Sequence, residues 1–194
     1  MLIYLIRHPE PSAARGLCYG RLDLGVDPGT LAAAATAIRA EIPERARQDA
    51  AIFTSPAARC RELARELSMA GAPSIARAPA VSSDLQELDF GAWEGLAWDA
   101  VPRLELDAWA QDIWSYRPGG GESCALAARR WRRWSLALRQ TAVEVALAVT
   151  HGGLIRVALA CEEILTPRNL ASHPVDFGSV HRLVLEDRPA CLDA

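Results

Sequence analysis

The chain contains no lysine, and its 21 basic residues other than histidine are all arginine. Because the sequence is also rich in alanine, we attribute this arginine excess to a GC-rich coding sequence rather than to a function. The formal net charge of −3 argues against general binding to nucleic acid or to acidic membranes. No apolar run reaches membrane-spanning length, and the N-terminus lacks the pattern of a signal peptide. These absences predict a protein with neither a nucleic acid nor a membrane as its partner.

The number and spacing of the cysteines do not indicate disulfide bonds or a metal site. There are five of them, an odd number, and no two form a C-x-x-C motif: Cys18, Cys60, Cys124, Cys161 and Cys191. This pattern favours reduced thiols in the cytoplasm over a disulfide framework or a zinc site. With 51% hydrophobic and 23% charged residues, the composition is typical of a globular protein. We therefore expect one cytoplasmic domain over residues 1–194.

A short apolar run at the N-terminus stops on two polar side chains. Residues Leu2 to Ile6 are apolar on both faces, as in a strand buried between two layers of helices. Arg7 and His8 follow directly, and Pro9 prevents the strand from continuing because proline has no N–H to donate. Open α/β sheets bind ligands beyond the carboxyl ends of their strands. Arg7 and His8 are therefore predicted at such a rim, although a charged strand end facing water is the alternative.

A second segment repeats that arrangement near the other end of the chain. The run 143–149 predicts a strand, and the tetrapeptide THGG at 150–153 leads into a helix starting near Leu154. Gly152 and Gly153 permit close backbone approach, and the free N–H groups of a helix start favour an anion. A lone histidine near a core is more often structural. Two in matching contexts, His8 and His151, predict a shared site.

The remaining segments alternate between helical and extended patterns. Helices are predicted over 30–42, with Thr30 as N-cap, and from Pro56 in the first turn, with Ser55 as N-cap. Further helices are predicted over 98–109 and 122–140, and strands over 51–53, 76–81 and 180–185. The alternation predicts an α/β fold, a three-layer α/β/α sandwich around a mostly parallel sheet.

Four arginines between positions 129 and 133 have the spacing of a nucleic-acid patch. However, four apolar residues share one helical stripe in the same segment: Ala127, Trp131, Trp134 and Leu138. We therefore predict an amphipathic helix with the arginines on its flanks: Arg129, Arg130, Arg132 and Arg133.

Five motifs occur in order along nearly the whole chain. They are LIRHPE at 5–10, SPAAR at 55–59, LQELDFGAWEG at 85–95, PGGGES at 118–123 and THGG at 150–153. Together they resemble the signature segments of the histidine phosphatase superfamily, with Pro9 where glycine is usual and one additional glycine in PGGGES. The resemblance implies a single histidine-phosphatase domain with the phosphoglycerate-mutase-like fold.

The resemblance also implies a phosphoryl-transfer site. His8 would attack phosphorus, and a phosphohistidine splits one difficult step into two easier ones. Arg7, Arg59 and His151 would hold the phosphoryl oxygens, since a planar guanidinium binds two oxygens at once. Glu87 would be the general acid, protonating the leaving oxygen and later activating water. No metal and no cofactor are implied, because the protein itself supplies the positive charge.

Three further residues are predicted to contact the substrate. Arg21 matches a family position that reaches the phosphate. Gly152 belongs to the helix start whose N–H groups favour an anion. Ser123 begins a helix together with Glu122, and plain helix-start chemistry is the favoured interpretation there, with Ser123 also available to the substrate.

The activity implied is that of a metal-independent phosphomonoesterase acting on a small phosphate ester. The motifs RHPEP, CYGRLD and FGAWEG most resemble the α-ribazole phosphatase branch, which acts on a precursor of cobalamin. A broad-specificity phosphatase, a phosphoglycerate mutase and a non-catalytic relative are the alternatives. The mutase is disfavoured because little chain between Gly95 and Pro118 could form a lid.

Three tryptophans lie in the region expected to cover the site: Trp98, Trp109 and Trp114. They either stack on an aromatic base of the substrate or belong to the core. The oligomeric state, a homodimer included, stays open.

Overall fold

The fold is built around one five-stranded sheet. The computed structural model describes residues 1–12, 15–69, 78–167 and 169–186. Its strands are β1 (Leu2–Arg7), β2 (Ala51–Thr54), β3 (Ala80–Val81), β4 (Val145–Thr150) and β5 (Val180–Val184). Their order across the sheet is β3-β2-β4-β1-β5, with β5 antiparallel to β1 and the other neighbouring pairs parallel. The predicted α/β fold with a mostly parallel sheet is confirmed.

Helices cover both faces of this sheet. The described residues form α1 (Pro28–Glu41), α2 (Glu44–Gln48), α3 (Ala58–Met69), α4 (Arg103–Gln111), α5 (Cys124–Arg139) and α6 (Gly152–Cys161). Short 3₁₀ turns occupy Ser83–Leu85, Gly91–Trp93, Trp98–Ala100 and Pro118–Gly120. Helices α1 and α3 pack on one face of the sheet, and α5 and α6 pack on the other. Among the described helices, none is both long and apolar enough to cross a membrane.

The apolar run of β1 is buried because its two faces pack on different helix layers. Ile3 and Leu5, both fully buried, belong to the core cluster shared with α5 and α6. Tyr4 and Ile6 belong to the cluster shared with α1 and α3. Burying one such aliphatic side chain stabilises the fold by about 1.5–3 kcal/mol. The strand that ends at Arg7 is therefore held from both sides.

The strand register brings several polar residues to one edge of the sheet. Arg7 pairs with Thr150 across β1 and β4, and Thr54 pairs with Val149 across β2 and β4. The carboxyl ends of these three parallel strands are therefore level with one another. The residues that follow them are neighbours at this edge: His8, Ser55 and His151.

Helices α1 and α3 do not begin where the sequence predicts. Helix α1 begins at Pro28, and its N-cap is Asp27, whose side chain accepts the Thr30 N–H at 2.9 Å. Aspartate is a stronger cap than threonine, so the helix starts earlier than predicted. Helix α3 begins at Ala58, two residues after the predicted first helical residue, Pro56.

The predicted helix over 98–109 is interrupted at Pro102. A 3₁₀ turn covers Trp98–Ala100, and α4 begins only at Arg103. Proline disfavours helical backbone in the residue before it, and Val101 is extended, with φ −72° and ψ 133°. Helix α5 begins at Cys124, two residues after the predicted start. Residues 76 and 77 of the predicted strand 76–81 lie outside the described residues.

Candidate active site

Six of the eight predicted site residues meet beside a cavity of about 510 Å³ at the carboxyl edge of the sheet. Four of them line it: Arg7, His8, Glu87 and Gly152. Arg59 and His151 pack directly against His8. The Nε atom of Arg59 is 3.3 Å from Nε2 of His8, and the two imidazole centres are 5.0 Å apart. The ends of β1 and β4 and the starts of α3 and α6 thus converge on one place.

His8 is held as a neutral ring with one nitrogen lone pair available. Its Nδ1 lies 2.7 Å from the carbonyl oxygen of Pro9. A carbonyl only accepts, so Nδ1 carries the proton and Nε2 is left as the acceptor. Burial, helped by Arg59 and Arg7, lowers the pKa of His8 to about 3 despite the opposing hydrogen bond to Pro9. A neutral imidazole with a free Nε2 is the form in which histidine acts as a nucleophile.

Pro9 stands where the superfamily usually has glycine, and it preserves this arrangement. The hydrogen bond from His8 uses the main-chain carbonyl of residue 9 and so does not depend on the side chain. Pro9 itself is buried. The chain therefore presents His8 with a fixed ring orientation.

Arg59 lies at the centre of this polar cluster. Its side chain is fully buried, and its terminal nitrogens donate to the carbonyl oxygens of Leu22 at 2.8 Å and Gly20 at 2.7 Å. Among the described residues, the carboxylate that approaches it is Asp23, at 4.0 Å and half exposed. The guanidinium is therefore held beside His8 by neutral carbonyl groups, and most of its positive charge remains directed at the site.

His151 is also neutral, and Arg59 determines its tautomer. Nη2 of Arg59 lies 3.3 Å from Nδ1 of His151, and a guanidinium has no acceptor, so Nδ1 bears the lone pair. The proton is then on Nε2, which donates to Oγ of Ser55 at 2.8 Å. Burial, followed by the proximity of His8 and Arg59, holds the pKa of His151 well below its ordinary value. Both histidines therefore remain uncharged at neutral pH.

Arg7 has a donor without a partner among the described residues. Its Nη1 donates to the carbonyl of Val175, and its guanidinium carbon lies 3.8 Å from the ring centre of Phe177. Its Nε is buried and makes no hydrogen bond within the described part of the chain. A buried donor left unsatisfied costs about 1–3 kcal/mol. This position therefore favours a ligand that brings an acceptor, such as a phosphoryl oxygen.

The two glycines after His151 are needed for close approach. A Cβ atom on Gly152 would lie 3.1 Å from Nε of Arg7 and 3.3 Å from Nη1 of Arg156. A Cβ atom on Gly153 would lie 2.5 Å from Oε1 of Glu87. A side chain at Gly153 would displace the Glu87 carboxylate, and one at Gly152 would push the two arginine side chains away by a few tenths of an ångström. The start of α6 therefore approaches the Arg7 guanidinium and the Glu87 carboxylate with its bare backbone.

The Glu87 carboxylate is anchored on the N-terminus of α6. Its Oε1 accepts the N–H groups of Leu88 and Leu154, each at 3.0 Å. Its Oε2 accepts the N–H of Gly153 at 3.0 Å. Because the residue also lines the cavity, its carboxyl group is held at the cavity wall near His8.

Arg21 and Ser123 are placed differently from these residues. Arg21 is exposed and donates from Nε to the carbonyl of Glu87 at 2.9 Å and from Nη1 to Gln86 at 2.6 Å. Ser123 is buried and caps α5, where its Oγ accepts the Leu126 N–H at 3.3 Å. Neither is among the described residues that line the cavity. Their contacts with a substrate stay predictions.

Two of the three tryptophans considered for substrate stacking line the cavity. Trp98 and Trp109 are stacked, with ring centres 6.1 Å apart and planes at 3°. Phe90 meets both edge-on, at 5.8 and 5.9 Å. Nε1 of Trp109 is buried and has no hydrogen-bond partner among the described residues. Trp114 instead packs against the core cluster between the sheet and α5.

Sequence reasoning missed Arg156, which lines the cavity four residues after Gly152. Its Nε donates to the carbonyl of His173 at 2.9 Å, and among the described residues it forms no ion pair. Burial and the nearby Arg7 lower its pKa. The signal available was its spacing, because residues four apart lie on the same face of a helix.

The prediction that arginines flank the buried stripe of α5 is wrong for Arg130. This residue is 6% exposed and pairs with Glu122 at 2.7 Å. The apolar residues of the stripe are buried as predicted: Ala127, Trp131, Trp134 and Leu138. Hydrophobic periodicity assigns every arginine to the surface, and it carries no signal for one that is buried with a carboxylate.

Cys60 packs against His151, with Sγ 3.5 Å from its Nε2. Burial raises the pKa of this thiol far above its ordinary value, so it remains a thiol rather than a reactive thiolate.

Within the described part of the chain, no group of three or more His, Cys, Asp or Glu side chains could hold a metal ion.

The family of the chain follows from comparison with known proteins. The family model described as the histidine phosphatase superfamily (branch 1) matches residues 3–192. The chain therefore belongs to this superfamily, in agreement with its ordered motifs and its pair of strand-end histidines.

Solved structures extend this assignment. A mycobacterial glucosyl-3-phosphoglycerate phosphatase in complex with VO3 is 25% identical, with a TM-score of 0.80 over 94% of this chain and 92% of that one. TTHB049 from Thermus thermophilus is 26% identical, with a TM-score of 0.69 over 94% of this chain and 93% of that one. The superfamily and the phosphatase among these neighbours support a phosphatase.

Curated relatives share only part of their length with the chain. The bifunctional protein Rv2228c of Mycobacterium tuberculosis is 38% identical over 87 residues, which are 43% of this chain. The match spans 22% of that relative's length. The activities of that larger protein are therefore not carried over to this chain.

Proposed function

We propose that the protein is a phosphomonoesterase that forms a phosphohistidine on Nε2 of His8 and requires no metal ion. The observation that carries this proposal is the neutral, buried His8 ring, whose unprotonated Nε2 accepts a hydrogen bond from Nε of Arg59 at 3.3 Å. Arg7 adds a second guanidinium, whose Nε has no acceptor within the described part of the chain. This arrangement combines a nucleophile with charges ready for the phosphoryl oxygens before the substrate arrives.

In the first step, Nε2 of His8 forms a bond to phosphorus while the ester P–O bond breaks. The proton of Glu87 passes to the leaving oxygen, so the alcohol departs without a negative charge. Arg7 and Arg59 stabilise the charge on the three phosphoryl oxygens. Oε2 of Glu87 has one N–H partner, whereas Oε1 has two, so Oε2 is the oxygen that carries the proton.

In the second step, Glu87 is a carboxylate and takes a proton from water. The water oxygen attacks phosphorus, the P–N bond breaks, and inorganic phosphate leaves with His8 again neutral. The hydrogen bond from Nδ1 to the carbonyl of Pro9, at 2.7 Å, stabilises the positive charge of the phosphorylated ring between the two steps.

For the substrate we propose α-ribazole 5′-phosphate of cobalamin biosynthesis, hydrolysed in the cytoplasm. The stacked pair of Trp98 and Trp109, with Phe90 edge-on, forms a flat apolar wall that suits an aromatic base. Nε1 of Trp109, which has no hydrogen-bond partner among the described residues, offers one donor to the leaving group. The resemblance of the RHPEP, CYGRLD and FGAWEG motifs to the α-ribazole phosphatase branch favours the same substrate.

A second candidate is a phosphatase for an ester whose leaving group bears a carboxylate. Arg156 favours it, because a guanidinium that lines the cavity without an ion pair among the described residues attracts a second anion. The neighbour named for glucosyl-3-phosphoglycerate belongs to this class of phosphatase. A mutase would in addition have to shield the phosphohistidine from water, and between Gly95 and Pro118 the chain offers one 3₁₀ turn and the nine-residue α4.

The experiment is a measurement of phosphate release with excess chelator from three esters. They are α-ribazole 5′-phosphate, p-nitrophenyl phosphate and 3-phosphoglycerate, with H8A as the blank. Denaturation in alkali during turnover of ³²P-labelled substrate traps the phosphohistidine, which is stable at high pH. Chelator-resistant turnover that prefers the ribazole ester and is absent from H8A is the expected result.

Other outcomes lead to different conclusions. A preference for 3-phosphoglycerate that R156A abolishes selectively would support the second candidate. Similar, weak turnover of all three esters would indicate a broad-specificity phosphatase, and isomerisation of 3-phosphoglycerate faster than its hydrolysis would indicate a mutase. Undiminished phosphate release by H8A would refute the phosphohistidine mechanism.

A further inference from the structure

We propose that Arg130 is a positioning residue for Glu87 and that Glu122 holds Arg130 in the required orientation. The proposal rests on the proposed function in one respect, namely that Glu87 is the general acid. Neither Arg130 nor Glu122 is among the described residues that line the cavity. Arg130 reaches the site through the main-chain carbonyl of Glu87, to which its Nη2 donates.

Arg130 is bound on all sides by specific acceptors. Its Nε and Nη2 contact the two carboxylate oxygens of Glu122 at 2.7 and 2.8 Å, which is a bidentate ion pair. Its Nη1 donates to the carbonyl of Asp84 at 2.7 Å, and its Nη2 donates to the carbonyl of Glu87 at 3.2 Å. One buried guanidinium thus joins the start of α5 to the backbone segment that carries the acid.

Glu87 is consequently held at both its backbone and its side chain. Its carbonyl accepts from Arg130 and also from Nε of Arg21 at 2.9 Å. Oε2 of Glu122 lies 2.8 Å from Arg130 and 3.5 Å from Arg21, so one carboxylate orients both arginines. The carboxyl group of Glu87 is held separately by the N–H groups at the start of α6. The acid is therefore fixed between α5 and α6.

Stability alone does not explain this buried pair. Removing two charges from water has a desolvation cost that their attraction often fails to recover, and apolar residues of similar size would pack as well. The geometry of the ion pair is a better explanation for its presence. The bidentate contact with Glu122 leaves the other N–H groups of Arg130 directed at the carbonyls of Asp84 and Glu87. A lysine would provide a point charge without this fork.

Misplacing the acid has a recognisable kinetic signature. An alkoxide is a poor leaving group and needs a proton as the P–O bond breaks, whereas dinitrophenolate departs without one. A variant that displaces Glu87 should therefore lose more activity toward an alkyl phosphate than toward an activated aryl phosphate. General loss of structure would reduce both rates together.

The test compares kcat/KM for propyl phosphate and 2,4-dinitrophenyl phosphate in R130Q, in the double variant E122Q/R130Q and in E87Q. The double variant leaves no unpaired charge in the interior, so it covers the case in which R130Q fails to fold. R133Q is the matched control, because Arg133 is also on α5 and pairs with the side chain of Asp84, but it is 67% exposed. Thermal melting verifies that each variant is folded.

We expect E87Q to lose about 10²–10⁴-fold more activity on the alkyl ester than on the aryl ester. R130Q and the double variant should show the same selectivity at about 10- to 100-fold, since a displacement near 1 Å costs about 10²-fold. R133Q should match the wild type on both esters. If E87Q is selective but folded R130Q and the double variant are not, the positioning role is overturned and Glu87 remains the acid. If E87Q itself shows no selectivity, the acid assignment fails and this proposal fails with it.

Discussion

Replacing His8 with asparagine should make the protein less sensitive to mild acid. The imidazole of His8 is buried beside Arg59 and Arg7, so the folded protein resists protonation at this position. The unfolded chain has no such resistance and takes up the proton readily. Acid therefore favours the unfolded state through His8, and asparagine, which does not titrate, removes this contribution.

The magnitude follows from the two pKa values of the residue. In the unfolded chain His8 has its ordinary pKa of 6.5, and in the folded protein the pKa is about 3. Below pH 6.5 each pH unit therefore weakens folding by about 1.4 kcal/mol through this residue. Between pH 7 and pH 5 the loss amounts to about 2 kcal/mol. The stability that depends on neutral His8 is thus complete above pH 6.5 and is lost as the pH falls toward 3.

The assay is urea unfolding of the wild type and H8N at pH 7 and pH 5, at equal ionic strength. Phosphate is omitted, since a ligand of the folded state would raise its apparent stability. The free energy of unfolding should fall between the two pH values by about 2 kcal/mol more in the wild type than in H8N. His151 is present in both proteins, and burial, the largest cause of its lowered pKa, is retained in H8N. An equal pH dependence in the two proteins would refute the reasoning that His8 is buried in its neutral form.

Three further substitutions test other parts of the structure. G152A places a Cβ atom 3.1 Å from Nε of Arg7, so kcat/KM should fall about 10- to 100-fold while the melting temperature holds; unchanged kinetics would contradict the close approach. R59K removes the donors that orient both histidines and should lower kcat/KM about 10²–10³-fold in steady-state assays; a near-normal rate would show that a point charge suffices there. W131A removes a fully buried side chain between the sheet and α5 and should cost about 3–5 kcal/mol in urea unfolding; a loss below about 1 kcal/mol would contradict the packing described for this helix.

Several elements were predictable because their signals are local. The apolar run of β1 and the break at Pro9 determine where the strand ends and hence that Arg7 and His8 lie at a rim. Where a predicted helix boundary was wrong, a neighbouring residue capped or interrupted the helix in place of the expected residue. Asp27 capped α1 in place of Thr30, and Pro102 interrupted the helix expected over 98–109. Such competition depends on the backbone geometry of a few residues, which a pattern of hydrophobicity does not resolve.

The cavity wall shows where local signals end. Trp98 and Trp109 line the cavity, whereas Trp114 packs into the core, although all three come from the same short stretch of chain. Arg156 was missed, and the burial of Arg130 was not predicted, for a related reason. Whether an arginine faces solvent, a carboxylate or a cavity depends on segments that are distant in sequence.

The sequence by itself determined the α/β class, the two strand-end histidines and the set of motifs that marks the superfamily, since each follows from residues close together in the chain. Only the tertiary structure decided the chemical state of those residues. The tautomer of His151 depends on Arg59, which reaches it from helix α3. The unused donor of Arg7 and the burial of Arg130 likewise depend on which groups meet across the fold. Electrostatic energies and hydrogen bonds are set by distances in space, and those distances exist only once the chain has folded.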